Sequence, residues 1–210
     1  MPSRDFKSPT AAPACTARAR IAVLAAFILM AIPGNKTQAD GIDDADDIPL
    51  YIEIDKSDRM LRIKFDDEIY RQFPIATGRG GPGDKLLTGD NHTPVGIYRI
   101  VGFNDSSRFH LFMRLNYPNV KDAFYGLKNN VISRYEFERI IDSLRHGRLP
   151  PQNTALGGAI GIHGVGEENP NKLKIHSKMN WTEGCVAMTN AEISELRSYV
   201  SVGTEVVIRE

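Results

Sequence analysis

Between Leu50 and Thr77 apolar and polar residues alternate with the period of a strand, and the alternation breaks only at turn-forming residues. Leu50 to Ile54 and Met60 to Phe65 alternate on either side of Asp55-Lys56-Ser57-Asp58, and Glu68 to Thr77 follows the Asp66-Asp67 turn. A helix would repeat every 3.6 residues, so this pattern predicts antiparallel strands joined in a meander, each with one face toward a core. Two more strands are expected at Ile97 to Val101 and Phe109 to Leu115, the latter ending at Asn116-Tyr117-Pro118-Asn119.

Helical signals are fewer. Ser133 and Glu136 form a capping-box pattern, Phe137, Ile140, Ile141 and Leu144 fall on one helical face, and Gly147 ends the run. This helix is expected as an insertion packed against the sheet. A second helix starts at Thr189 with Glu192 three residues on, turns Ile193, Leu196 and Val200 inward, and ends near Gly203 before a last strand at Thr204 to Ile208. The fold class is therefore mostly β with two or more helices.

The chain has 210 residues, 41% hydrophobic and 25% charged, enough for one domain with a core. Residues 1–39 read as a secretory signal peptide: Arg4, Lys7, Arg18 and Arg20 precede the uncharged run Ile21 to Ile32, and Thr37-Gln38-Ala39 marks a cleavage site. That run is shorter than the roughly 20 residues that span a bilayer. Residues 40–48 read as an acidic linker and 49–210 as the folded domain, which is expected in the periplasm and off the membrane once the signal is removed. Twenty-six basic residues balance twenty-six acidic ones, so no global field draws the protein to nucleic acid.

Of the two cysteines, Cys15 precedes the apolar run, which leaves Cys185 without a disulfide partner in the mature chain. A lone cysteine in an oxidising compartment is a buried apolar residue, an intermolecular link or a reactive thiol. Taken alone, a cysteine after a glycine is more often a buried small apolar residue than a nucleophile, but its surroundings also allow the last. The short apolar strand Ala159 to Ile162 delivers His163 and Gly164, and a polar loop leads on to Trp181-Thr182-Glu183-Gly184-Cys185-Val186. An imidazole that takes the thiol proton would let the thiolate attack a carbonyl and form a thioester. Gly184 permits a tight turn, which would aim the amides of Gly184 and Cys185 at the oxyanion.

Ile162-His163-Gly164, a spacer and Thr182-Glu183-Gly184-Cys185-Val186 resemble the active-site signature of the L,D-transpeptidase catalytic domain (YkuD-like) family. The resemblance extends through Thr93-Pro94-Val95-Gly96-Ile97 to Gly203-Thr204-Glu205-Val206 and implies a β-sandwich with a helical insertion. It also implies Cys185 as nucleophile, His163 as general base, the Gly164 carbonyl as the group orienting the imidazole, and Thr182 beside the oxyanion site. The implied substrate is a peptidoglycan stem peptide, with a wall-anchored protein as an alternative partner and no cofactor. Two positions depart from the pattern: Glu183 stands where the family has a second histidine and Ala187 where it has an arginine. With Asn116-Tyr117-Pro118-Asn119 upstream, the form is similar to the YafK-like branch, in which hydrolysis as well as cross-linking is implied.

Losing the arginine removes a bidentate carboxylate binder and leaves open which acceptor, amine or water, resolves the thioester. A hydrolase that releases wall-linked peptide or protein is thus the alternative enzyme, and an idle wall-binding module the alternative from another class. Zinc is a rival use of His163, His176, Glu183 and Cys185, but neither a Cys-x-x-Cys nor a His-Glu-x-x-His spacing is present. His176 reads as a solvated loop residue, His92 as part of a turn, and Trp181 as packing beneath the active loop or a substrate platform. The Gly-rich stretch Gly78 to Asp90 reads as a flexible loop, and it and the Ser133 helix are where lid and specificity elements are expected.

Overall fold

The computed structural model of the chain describes residues 50–210; the expected signal peptide and acidic linker lie outside the described residues. The strands are β1 (Tyr51–Asp55), β2 (Met60–Phe65), β3 (Glu68–Pro74), β4 (Gly96–Ser107), β5 (His110–Leu115), β6 (Gly161–Gly164), β7 (Val186–Met188) and β8 (Glu205–Arg209). They form one sheet in the order β3-β2-β1-β8-β4-β5-β6-β7. As the alternation predicts, β1, β2 and β3 pair antiparallel in sequence order. Long-range order is less local, since the C-terminal β8 inserts between β1, to which it is parallel, and β4, to which it is antiparallel.

The sheet folds on itself at β4. Residues Gly96 to Arg99 pair with β8, whereas Ile100 to Ser107 pair with β5, and a register shift between Ile100 and Gly102 marks the corner. One core lies between the two leaves, with Ile52, Ile54, Leu61 and Ile63 from the first and Leu111, Met113, Leu115, Ile162 and Val186 from the second. Beyond β3 the chain returns to the far edge, where Ala76 and Ala187 exchange both backbone hydrogen bonds at 2.8 and 2.9 Å. The outer ends of the folded sheet are thereby joined, which satisfies edge groups that would otherwise stay open.

Among the described residues four helices accompany the sheet: α1 (Val120–Lys128), α2 (Arg134–Arg145), α3 (Pro170–Lys178) and α4 (Asn190–Arg197). The capping boxes read at Ser133 and Thr189 are both formed. Helix α3 lies where the sequence reads as a polar loop, and α1 in a stretch that carries no helical expectation. Asn119 caps α1 through a box with Asp122, and Asn169 caps α3 with Pro170 at its first position. The face of α2 is as predicted, but its partner differs: Phe137, Ile140, Ile141 and Leu144 pack with Ala123 of α1, Ile132 and Leu156 in a separate small core. Tyr98 ties this unit to the sheet by donating to the buried Asp122 carboxylate at 3.0 Å.

The buried and exposed faces should separate under substitution. Ile54→Ala, in the core, is expected to lower unfolding free energy by about 2–5 kcal/mol, whereas Ile97→Ala, 58% exposed on the same sheet, stays within about 0.5 kcal/mol. Urea midpoints at unchanged m values measure both.

Candidate active site

The site grows from the parallel pairing of β6 with β7, in which Ile162 faces Val186 and His163 faces Ala187. Ile162 and Val186 point into the core, so the alternate residues His163 and, one step back along β7, Cys185 share the opposite face. Across β6, Phe112 of β5 pairs with His163 and Arg114 with Gly161. This face floors a cleft of about 1140 Å³, walled by Arg108, Phe109, Phe112 and Arg114 on one side and by Arg79, Lys85 and Glu183 on the other.

The His163 ring is 2% exposed, and its Nδ1 lies 2.7 Å from the Gly164 carbonyl oxygen. That contact puts the proton on Nδ1 and leaves Nε2 as the acceptor. Phe109 stacks on the imidazole with ring centroids 4.3 Å apart, and Trp181 meets it edge-on at 6.1 Å. Gly164 admits no side chain, since a Cβ there would meet Asn190 Oδ1 and the Phe109 carbonyl at 2.6 Å. The Asn190 side chain braces the following turn, accepting from the Gly166 amide and donating to its carbonyl. Asn190, Phe109 and Phe112 were not singled out from sequence.

Cys185 is partly open to the cleft, and its Sγ donates to the Ala159 carbonyl at 3.4 Å. The preceding Gly184 has φ +128, and a Cβ there would lie 2.8 Å from the His92 carbonyl, so the loop requires glycine. The Gly184 amide donates to Thr182 Oγ1 at 3.2 Å, and the Thr182 hydroxyl donates to the Cys185 carbonyl at 2.6 Å. The amide expected at the oxyanion is thus engaged inside the loop, with Thr182 as its brace. Thr93 adds a second clamp, accepting from the Gly78 amide and donating to the Cys185 carbonyl.

Burial acts on both reactive groups in the direction of neutrality. It pushes the thiol up to about 11, against the opposing pull of the Gly161 amide and of Lys85 and Arg114. It lowers His163 to about 4, with the Gly164 carbonyl opposing. At neutral pH both groups facing the cleft are uncharged, Cys185 as the thiol and His163 as the neutral imidazole.

Other expectations change with the structure. His176 is buried on α3, not solvated in a loop, and its Nδ1 accepts from Trp181 Nε1 at 3.3 Å. Glu183 turns outward to pair with Arg79 at 3.3 Å. Ala187 is fully buried against the returning Ala76 strand. The Gly78 to Asp90 loop is pinned: the Asp90 carboxylate accepts from the amides of Leu86, Leu87 and His92 and from Lys85. Among the described residues no three His, Cys, Asp or Glu side chains gather to hold a metal ion.

In sequence, residues 49–208 match the L,D-transpeptidase catalytic domain (YkuD) family. No curated protein matches the chain. Among solved structures it is similar to the helical cell shape determining protein Pgp2 from Campylobacter jejuni, at 22% identity and a TM-score of 0.50, over 77% of this chain and 48% of that one. Bd1075 from Bdellovibrio bacteriovorus is 20% identical with a TM-score of 0.49, over 79% and 50%. An L,D-transpeptidase from Xylanimonas cellulosilytica is 16% identical with a TM-score of 0.45, over 77% and 60%. The chain spans about half the length of the first two, and at 22% identity the likeness to Pgp2 is one of fold.

Two pH responses follow. Alkylation of Cys185 by iodoacetamide should rise about tenfold per pH unit from pH 7 to 10 without a plateau; a plateau below pH 8 would reveal a preformed thiolate. Because folding depresses His163 from 6.5 to about 4, the folded state binds fewer protons in that window. The contribution to stability is complete above pH 6.5 and is lost as pH falls toward 4, on the order of 3 kcal/mol. His163→Gln should flatten the dependence of unfolding free energy on pH across this interval by about that amount, as urea titrations at successive pH values would record.

Proposed function

Because the chain belongs to the L,D-transpeptidase catalytic domain (YkuD) family, we propose that it is a cysteine acyl-transfer enzyme acting on peptidoglycan stem peptides outside the cytoplasm. One observation carries this reading: Cys185 and His163 share one face of adjacent parallel strands, at the floor of a cleft, with Nδ1 of the imidazole held by Gly164. In this reading the nucleophile and its base owe their common face to backbone pairing, and the Gly164 carbonyl orients the base.

In the proposed reaction the Sγ–H proton passes to His163 Nε2 as sulfur attacks the carbonyl preceding the terminal D-residue. The tetrahedral intermediate then collapses, the C–N bond breaks, and the imidazolium returns its proton to the departing amine. A thioester on Cys185 remains. An amine acceptor, deprotonated by His163, attacks it to form a new amide and restore the thiol; water in that place gives a carboxylic acid instead. Since both groups are neutral at rest, charge separates only when a bound substrate has displaced water and its oxyanion develops. Export by the leader at residues 1–39 belongs to the same proposal, because stem peptides lie outside the cytoplasm. Hydrolysis is the second reading, favoured by the absence of a basic residue at the buried Ala187.

Intact-mass measurement after mixing with a carbapenem tests the reading. The wild type should gain one covalent adduct located on Cys185 and Cys185→Ala none; a folded wild type without an adduct argues against an acyl-enzyme. With tetrapeptide muropeptides, Cys185→Ala should lose on the order of 10⁴-fold or more in turnover. Products of higher mass in the presence of an amine acceptor indicate transfer, and products of lower mass only indicate hydrolysis.

A further inference from the structure

The walls of the cleft are unequal in charge. On one side Lys85 is neutralised by Asp90 at 2.9 Å and Arg79 by Glu183 at 3.3 Å. On the other, Arg108 and Arg114 form no ion pair with any described residue. Each lies over an aromatic ring instead, Arg108 over Phe109 at 4.7 Å and Arg114 over Phe112 at 5.5 Å. A guanidinium resting on a ring face keeps its edge N–H groups free and costs little further ordering when it binds a planar anion.

Register singles out Arg114. It pairs with Gly161 of β6, and stepping the parallel β6–β7 register back from Ile162 and Val186 sets Gly161 beside Cys185. Arg114, Gly161 and Cys185 therefore form one row across three strands, with neighbouring strands about 5 Å apart. Alternation agrees: Leu111, Met113 and Leu115 are buried in the core, which leaves Phe112 and Arg114 on the cleft face. The middle member of the row has no side chain, and none is possible there, because a Cβ on Gly161 would meet the Met113 carbonyl at 2.4 Å and the Phe112 ring at 2.6 Å. The Phe112 ring takes that space instead, and the guanidinium that rests on it lines the same cleft as Cys185.

Resting on the acyl-transfer reading, we propose that Arg114, carried on Phe112, is the specificity-determining residue that binds the free carboxylate of the terminal D-residue of the donor stem. With the attacked carbonyl at Sγ, that carboxylate lies one residue further along, roughly 3.5 Å of extended chain. Toward Arg114 it meets an unneutralised guanidinium; toward the opposite wall it meets the exposed Glu183 carboxylate. The charge asymmetry thus sets the direction in which the donor lies, with its leaving residue toward β5. It also gives Arg114 the role that an arginine at the buried position 187 does not fill. The same cation opposes the upward shift of the thiol, as expected for a group close to Sγ.

Calorimetry on the full chain with Cys185→Ala tests this without turnover, using the stem tetrapeptide ending in D-Ala with a free carboxylate and the same peptide as its C-terminal carboxamide. The free acid should bind about tenfold to a hundredfold more tightly than the amide. Adding Arg114→Gln should erase that preference, and Arg114→Lys should restore part of it, with thermal melts of each variant showing that the fold persists. Equal affinities for acid and amide, or a preference unchanged by Arg114→Gln, would overturn the assignment. If the wild type still forms the carbapenem adduct on Cys185, the acyl-transfer reading survives that failure; absence of both the adduct and peptide binding removes the two together.

Discussion

Four residues of β6 and three of β7, paired in parallel, position the whole site. Their register decides which residues look inward and which look out, and a slip of one residue would send His163 into the core and Ile162 into the cleft. Much of the rest supports that register. Met113 and the other inward residues of β5 hold β6 from one side, while the Ala76 to Ala187 pair holds β7 from the other. Helix α4 presses Ile193 and Leu196 against the same core and contributes Asn190, which braces the turn after His163.

The price of this placement is that the Cys185 thiol and the His163 imidazole are both held neutral. Desolvation is the largest influence on Cys185 and on His163, and it opposes the thiolate and imidazolium that the proposed attack requires. In the proposed reaction a ligand that excludes water and supplies a developing oxyanion changes that balance. The unneutralised guanidinium of Arg114 on one wall and the paired charges on the other make that site polar along its length.

Much of the architecture is legible in the sequence because the interactions that create it are local. Alternation over Leu50 to Thr77 marks β1 to β3, and the boxes at Ser133 and Thr189 mark α2 and α4. Helices α1 and α3 are missed for different reasons. The first follows a Tyr-Pro turn and mixes Val, Phe, Tyr and Gly, weak helix formers that hold through Asp122 and the contacts with α2. The second carries a readable start in Asn169-Pro170, but its apolar stripe is slight. His176, read as solvated, is buried because α3 lays it against Trp181.

By itself the sequence marked β1 to β6 and β8, the two capped helices and, through spacing and family resemblance, the proposed set of Cys185, His163 and Gly164. Tertiary structure alone decided that β8 runs parallel to β1, that the sheet folds at Ile100, and that Arg114 stands in one row with Cys185. It also decided the protonation of the site and the outward turn of Glu183. The division has one physical cause. Periodicity and capping depend on neighbours a few residues away, whereas register between distant strands, burial and charge pairing depend on residues that only folding brings together.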